Sequence, residues 1–314
     1  MNLNLTLTAD SIFSYPDFEK IVSFGNVSFK KATFETLVCE DFEITKKIDF
    51  PTGSIEAFNK NSNLNDFILK ATPCHFSLQK DHYRFERNLE KTIPINNLKI
   101  LCDELNNVFA SDQQNFFLEN NKLFFRSDKD TNIATYSPSE INQIEGRQFL
   151  PHGDDAIKWH SLINEIQMFL YDLKLNKLRE LENQLPINTI WFSGGGSFPN
   201  HINSHLSKPV ITNSHLINQL SLITKSFKTI KFDMDTKYPF NNTDYIYYEL
   251  GHDSKEGELL LGAVSDSFTQ GKINRLNIRI CIGQVCLFTQ LSKLSKVKFW
   301  KKHISLDKIF NEYS

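Results

Sequence analysis

From Thr189 onward, short apolar runs alternate with helical spacing, and this alternation restricts the fold more than any other feature. Thr189–Phe192, Pro209–Thr212, Thr229–Phe232, Tyr245–Leu250 and Leu276–Ile282 read as strands, with Ser214–Ile223 as a helix among them. Strands separated by helices favour a sheet with parallel pairing. The chain also opens on a strand pattern. Leu3, Leu5 and Leu7 point one way and Asn4, Thr6 and Thr8 the other, with Asp10 and Ser11 just past the end. The expected class is therefore α/β.

The middle of the chain is richer in β pattern. Phe67–Leu78 and Tyr83–Phe85 read as strands around a turn, and Phe116–Leu118 with Leu123–Arg126 as a hairpin. Pro94–Asn107 has Leu98, Leu101, Cys102 and Leu105 at helical spacing. Residues 156–173 give the cleanest helix, since Trp159, Leu162, Ile163, Ile166, Phe169, Leu170 and Leu173 recur at three and four. Asp154 or Asp155 stands at its expected N-cap. A shorter helix covers Asn176–Asn183. The polar stretch Ser127–Gly146 marks a plausible boundary, and residues 21–50 show no clear stripe.

Charge and composition remove whole classes of function. The 314 residues carry 35 Lys and Arg against 37 Asp and Glu, a net charge of −2, which gives no electrostatic case for nucleic acid. No apolar run approaches the roughly 20 residues of a membrane span. Met1–Asp10 lacks a basic stretch and reads as a strand, not a signal peptide. Five cysteines without a C-x-x-C pair read as reduced, mostly buried thiols of a cytoplasmic protein.

Several groups could carry chemistry. Gly194–Gly195–Gly196 follows a strand, where backbone amides can cradle an anion, but the spacing fits neither G-x-x-x-x-G-K-[ST] nor G-x-G-x-x-G. By composition it reads as a tight turn leaving a sheet. Asn164, Gln167, Asn176, Arg179 and Asn188 form a polar set around the helix pair. Arg179 could hold phosphate or carboxylate bidentately, with the amides orienting it. By spacing alone, the same amides serve to tie two helices and a loop together. His201, His205, His215 and His252 show no metal-ligand spacing, and no G-x-S-x-G elbow is present. The lysine-rich tail around Phe299–Trp300 reads as a solvated face.

The central block carries a resemblance. Phe149–Leu150–Pro151–His152–Gly153–Asp154–Asp155, Trp159 and Leu162–Ile163–Asn164–Glu165–Ile166–Gln167–Met168 resemble the L-P-x-G-x-D-x-x-x-W-x-x-L-x-N-E-x-Q-M pattern of RpfE-type bacterial regulatory proteins, which are phosphoglycerate mutase-like. The likeness continues through Asn176, Arg179, Pro186, Asn188, Trp191 and Gly194–Gly196. It takes in Leu69–Phe76 upstream and Lys298–Lys302 downstream. That family's H-x-H-P-V-N is absent, because Tyr171, Leu173, Lys174, Leu175 and Asn176 stand there. A fainter resemblance reaches archaeal-type cofactor-independent phosphoglycerate mutases, which share the alkaline-phosphatase fold. Those enzymes hold two metals beside a Ser nucleophile, so that the cations neutralise phosphoryl charge. Here Asp10 and His252 remain as metal candidates. Tyr247 or Tyr248 replaces an expected histidine, and too few ligands survive for a two-metal site.

The resemblance implies a diverged alkaline-phosphatase/phosphoglycerate-mutase-like sheet with an inserted β-rich subdomain. Residues 1–67 and 189–314 would form the main α/β domain, and 68–188 the insert with its return helices. It implies a non-catalytic or regulatory protein, possible as a homo-oligomer, that needs no cofactor. The protein would bind a small anionic ligand through Asn164, Gln167, Asn176, Arg179, Asn188 and Gly194–Gly196. The competing readings are a divalent-metal-dependent phosphomutase or phosphatase, and a structural interaction protein without ligand.

Overall fold

The computed structural model describes residues 1–9, 11–79, 82–86, 89, 92–111, 113–127, 131–141, 149–233, 240, 242–251, 254–297 and 304–312. They divide into two units, Met1–Glu43 with Asn203–Ser314, and Ile44–Ile202. The boundaries expected at 67/68 and 188/189 therefore move outward. The reason is pairing: the strand at Thr189 joins the sheet of the second unit, not the first. The polar stretch after Ser127 is likewise no boundary, since its described part lies inside the second unit.

The first unit begins with β1 (Asn2–Ala9), α1 (Pro16–Ser23), β2 (Val27–Lys31) and α2 (Phe34–Asp41). The second unit follows in the chain with α3 (Thr52–Glu56), β3 (Phe67–Gln79), β4 (His82–Glu86), α4 (Ile95–Phe109), β5 (Gln114–Glu119) and β6 (Lys122–Ser127). It ends with α5 (Ala156–Tyr171), α6 (Lys174–Leu181) and β7 (Thr189–Gly196). The chain then completes the first unit with β8 (Val210–Thr212), α7 (His215–Thr224), β9 (Thr229–Ile230), β10 (Tyr245–Leu250), α8 (Lys255–Thr269), β11 (Arg275–Ile282), β12 (Val285–Ser292) and α9 (Leu306–Asn311). The α/β class holds. Residues 21–50 supply the end of α1, β2 and α2, and Lys255–Thr269, unassigned from periodicity, is α8.

The first unit is built on a seven-stranded sheet of order β2-β12-β11-β1-β10-β8-β9. β1 lies between β10 and β11, parallel to both, and β12 runs antiparallel to β11 and β2. Leu3, Leu5 and Leu7 of β1 are fully buried with Leu276, Ile278 and Ile280 of β11, under Phe18 and Val22 of α1 and Leu260, Val264 and Phe268 of α8. The alternate residues of β1 are polar, and Asn4 and Thr6 find side-chain partners. The Asn277 amide donates to Asn4 Oδ1 at 2.7 Å and the Arg279 Nε to Thr6 Oγ1 at 2.8 Å. Arg279 Nη1 donates to Asp41 of α2 at 2.9 Å, and the Tyr247 hydroxyl donates to the same carboxylate at 2.8 Å. Burial disfavours the charged guanidinium, yet Asp41 outweighs it and holds the Arg279 pKa above the ordinary arginine value.

In the second unit, β3 is central. Residues Phe67–Lys70 pair with β6, Ile68–Cys74 with β7 and His75–Gln79 with β4. Leu98, Leu101 and Leu105 of α4 and Trp159, Ile163, Ile166 and Leu170 of α5 pack with Leu69, Phe125 and Phe192. Trp159 meets Phe192 edge-on at 5.1 Å and Phe125 at 5.6 Å. Its aromatic packing explains its fixed place in the stripe.

Three local expectations change. Asp155 is the N-cap residue of α5, but its side chain does not cap; the carboxylate accepts from Asn132 N–H at 2.9 Å instead. That bond, joined by Lys158, holds the Asp155 pKa below the ordinary carboxylate value. Cys281 and Cys286 face each other across the β11–β12 ladder and form a disulfide, so only Cys39, Cys74 and Cys102 keep the expected buried thiol. Burial, helped by Asp103, pushes Cys102 up to about 11. The tail block at 298–302 lies outside the described residues. No helix among the described residues is long and apolar enough to cross a membrane.

Removing one member of a charge pair whose side chains are each only 20% exposed largely strands the other. Arg279→Ala is expected to cost about 3 kcal/mol in chemical denaturation, and the Asp41→Ala/Arg279→Ala double variant less than the sum of the two single ones.

Candidate functional site

Parallel strands leave their carboxyl ends open, and in open α/β sheets ligands sit in the crevice outside those ends. Ala9 and Leu250, the last residues of β1 and β10, are register partners at this edge. Beyond them lies a cavity of about 240 Å³ lined by Ser11, Tyr15, Gly251, Ser254, Gly257 and Glu258 among others. Local sequence explains its walls. Ser254 caps α8 by accepting from Gly257 N–H at 3.1 Å. A Cβ at Gly257 would stand 2.7 Å from Leu250, and one at Gly262 2.7 Å from the Tyr15 hydroxyl. The two glycines thus let the end of β10 and the Tyr15 ring lie against α8. Asn213, just past β8, holds β10 from the other side, donating to Glu249 O and accepting from Glu249 N–H, both at 2.8 Å.

Acids surround Tyr15 among the described residues of this edge. Burial, then Asp17, Asp266 and Glu258, push the Tyr15 pKa above its ordinary value. Glu258 is the charged group among the described lining residues. Asp10 and His252, the metal candidates, follow Ala9 and Gly251 in the chain and lie outside the described residues. Among the described residues, no group of three or more His, Cys, Asp and Glu side chains is placed to hold a metal. The described residues do not fit such a group. Tyr247 and Tyr248, standing where a histidine was expected, are both 1% exposed. Tyr247 turns to Asp41, and Tyr248 packs into the leucine-lined face.

The polar set of the central block is in the other unit, and there it ties backbone together. The Asn176 amide donates to Leu170 O and Ile187 O and accepts from Ile187 N–H, each at 2.7 Å. Asn188 accepts from Phe76 N–H at 2.7 Å and donates to Phe76 O at 2.6 Å. Gln167 donates to Thr189 Oγ1 at 3.3 Å, while Asn164 is exposed. Arg179 is 1% exposed, and its Nε donates to Leu185 O at 2.9 Å. Burial holds its pKa below the ordinary arginine value, against the pull of Glu182. These contacts bind α5, α6 and the 184–188 loop to β3, the tying role that spacing alone suggested.

Gly194–Gly196 is not a turn after a strand but the end of β7 itself. Gly194 has φ +65°, and a Cβ there would stand 2.1 Å from Thr52 Oγ1; one at Gly196 would stand 2.7 Å from Pro51. Pairing with β3 shifts register at this point. Gly194 and Gly196 are glycine because the start of α3 lies directly on the strand, while a Cβ at Gly195 would meet Phe67 and Leu69 of β3. Its last two residues line a cleft in that unit, away from Arg179's contacts.

No family model matches the chain, and neither does any curated protein. Among solved structures, the chain is similar to a cofactor-independent phosphoglycerate mutase from Thermoplasma acidophilum DSM 1728, with 11% identity and a TM-score of 0.36. That match covers 93% of this chain and 89% of the other. It is also similar to the PH0037 protein from Pyrococcus horikoshii, with 11% identity, a TM-score of 0.44 and coverage of 93% and 87%. Likeness at these scores adds no argument to the α/β class, which rests on the sheets and helices described above.

The Asn176 amide leads to a direct expectation. Asn176→Leu leaves two carbonyls and an amide N–H without their partner, and each such buried group costs about 1–3 kcal/mol. Urea denaturation should show a loss of about 3 kcal/mol or more; an unchanged midpoint would remove the structural role.

Proposed function

We propose that this protein is a phosphoglycerate-mutase-like chain, of the kind of the RpfE-type regulatory proteins. It binds a small phosphorylated metabolite at the carboxyl edge of its seven-stranded sheet without turning it over. The observation that carries this reading is the cavity where β1 and β10 end. Its size suits a metabolite of a few carbons, and hydroxyls of Ser11, Tyr15 and Ser254 line it. Non-catalytic binding is favoured by the two buried tyrosines at the expected histidine position.

Charge refines the ligand. Glu258 and the acids around Tyr15 repel a bare dianion. In this reading the metabolite brings a divalent cation as part of the ligand, because the described residues hold none of their own. A second reading, a metal-dependent phosphotransfer enzyme, is favoured by one specific feature. Asp10 and Gly251–His252–Asp253 directly follow the register partners Ala9 and Leu250.

A thermal-shift experiment on the full chain separates these readings. A ligand at a hundred times its Kd stabilises by about 2.7 kcal/mol. With 3-phosphoglycerate we expect a shift in the presence of Mg²⁺ and little without it, and a smaller Mg²⁺ requirement in Glu258→Gln. Product formed in the same mixture would transfer the assignment to the enzyme. No shift with or without cation would overturn both and leave an interaction protein.

A further inference from the structure

The unit Ile44–Ile202 contains its own cleft, of about 1020 Å³, at the upper end of the size range of small-molecule sites. Its walls come from the segments on either side of α3 and β7, with Asp49, Asn65, Phe67, Gly195, Phe198 and Asn200 facing it. Asp49 is the carboxylate of this lining and is held in one orientation. Its Oδ2 accepts from the Thr135 N–H at 2.8 Å and from the Thr135 hydroxyl. That hydroxyl in turn accepts from Gly194 N–H at 3.1 Å. Backbone of β7 thus fixes the acid through Thr135. The other oxygen, Oδ1, accepts no hydrogen bond from the described residues. Burial raises the Asp49 pKa despite the Thr135 bonds.

The rest of the lining limits what can pair with that oxygen. Asn65 and Asn200 offer donors and acceptors at an exposed rim, while Phe67 and Phe198 give apolar faces. Phe198 is steadied by Phe58, with ring centroids 4.8 Å apart. A purely apolar ligand would desolvate Asp49 and the amides without replacing their hydrogen bonds. Lys47 and His201 also line the cleft, so it is not uniformly acidic, but a dianion seated at Asp49 Oδ1 would meet the carboxylate charge. A neutral ring with adjacent hydroxyls avoids both costs: its C–H face lies on an aromatic ring, and its hydroxyls donate to the carboxylate and exchange bonds with the amides.

We propose that this cleft is a binding site for a ring bearing vicinal hydroxyls, either a free sugar or the ribose of a nucleoside. The proposal is independent of the ligand assigned to the carboxyl edge. Saturation-transfer NMR on the full chain tests it, with glucose, galactose and ribose as one arm and adenosine and uridine as the other. Analogues lacking one of the paired hydroxyls serve as controls, because a site built to bond a hydroxyl rejects a ligand without it. Transfer to either arm, lost with its deoxy analogue, supports the proposal and identifies the source.

Asp49→Asn keeps an oxygen for Thr135 and replaces the Oδ1 acceptor with a donor. It should weaken binding about tenfold, the worth of a hydrogen bond to a charged group. Asn200→Ala, at the exposed rim, should weaken binding while leaving the melting temperature unchanged, and it decides alone if Asp49→Asn fails to fold. Absence of transfer in both arms, or equal binding by wild type and Asn200→Ala, overturns the proposal.

Discussion

A central parallel strand is covered on both faces, so every side chain along it has to be satisfied without bulk water. β1 meets this demand unequally. One side is leucine, which needs only bulk around it. The other carries Asn4, Thr6 and Thr8, of which Asn4 and Thr6 have partners placed at hydrogen-bond distance. Arg279 answers Thr6 and reaches on to Asp41, which also takes the Tyr247 hydroxyl. One guanidinium thereby joins β1, β10, β11 and α2. The polar cluster and the leucines thus both hold β1 between β10 and β11, at the edge where β1 and β10 open. Replacing the cluster with apolar residues could stabilise equally well, but would give less discrimination between strand registers.

The second unit solves a different problem. β3 is long enough to pair with β6, β7 and β4 in succession, and its surroundings change along it. Toward the helices the sheet presents Leu69, Phe125 and Phe192 to Trp159. On β7 the start of α3 lies so close that only glycine fits at 194 and 196. The same close approach brings Gly194 N–H to Thr135 and, through it, orients Asp49. A packing constraint and the geometry of a polar cleft therefore arise from one run of glycines. Neither involves the anion cradle that a glycine triplet after a strand first suggests.

Much of the element content was legible because its signal is local. The alternation in β1, the stripe of Trp159, Ile163, Ile166 and Leu170, and the β5–β6 hairpin follow from periods of two and 3.6. α2 escaped that reading because eight residues contain barely two turns, and α8 because Gly257 and Gly262 interrupt its pattern. The chemistry was less legible. An amide that holds backbone and an amide that holds a ligand have the same letter and the same spacing. Asn176 and Asn188 became distinguishable only when the carbonyls and N–H groups around them had positions. The pairing of Cys281 with Cys286 likewise depends on the β11–β12 register, which places the two directly opposite.

The sequence by itself determined the class: an α/β chain with a strand at its start, a helix-rich return in its middle and near-neutral charge. Periodicity and composition act residue by residue, so no partner needs to be known. Tertiary structure decided where the units divide, that Gly194–Gly196 ends a strand beneath α3, and which acids face which cavities. Those outcomes depend on contacts between residues far apart in the chain, such as Asp41 with Arg279 and Asp49 with Thr135, and such contacts have no period to betray them.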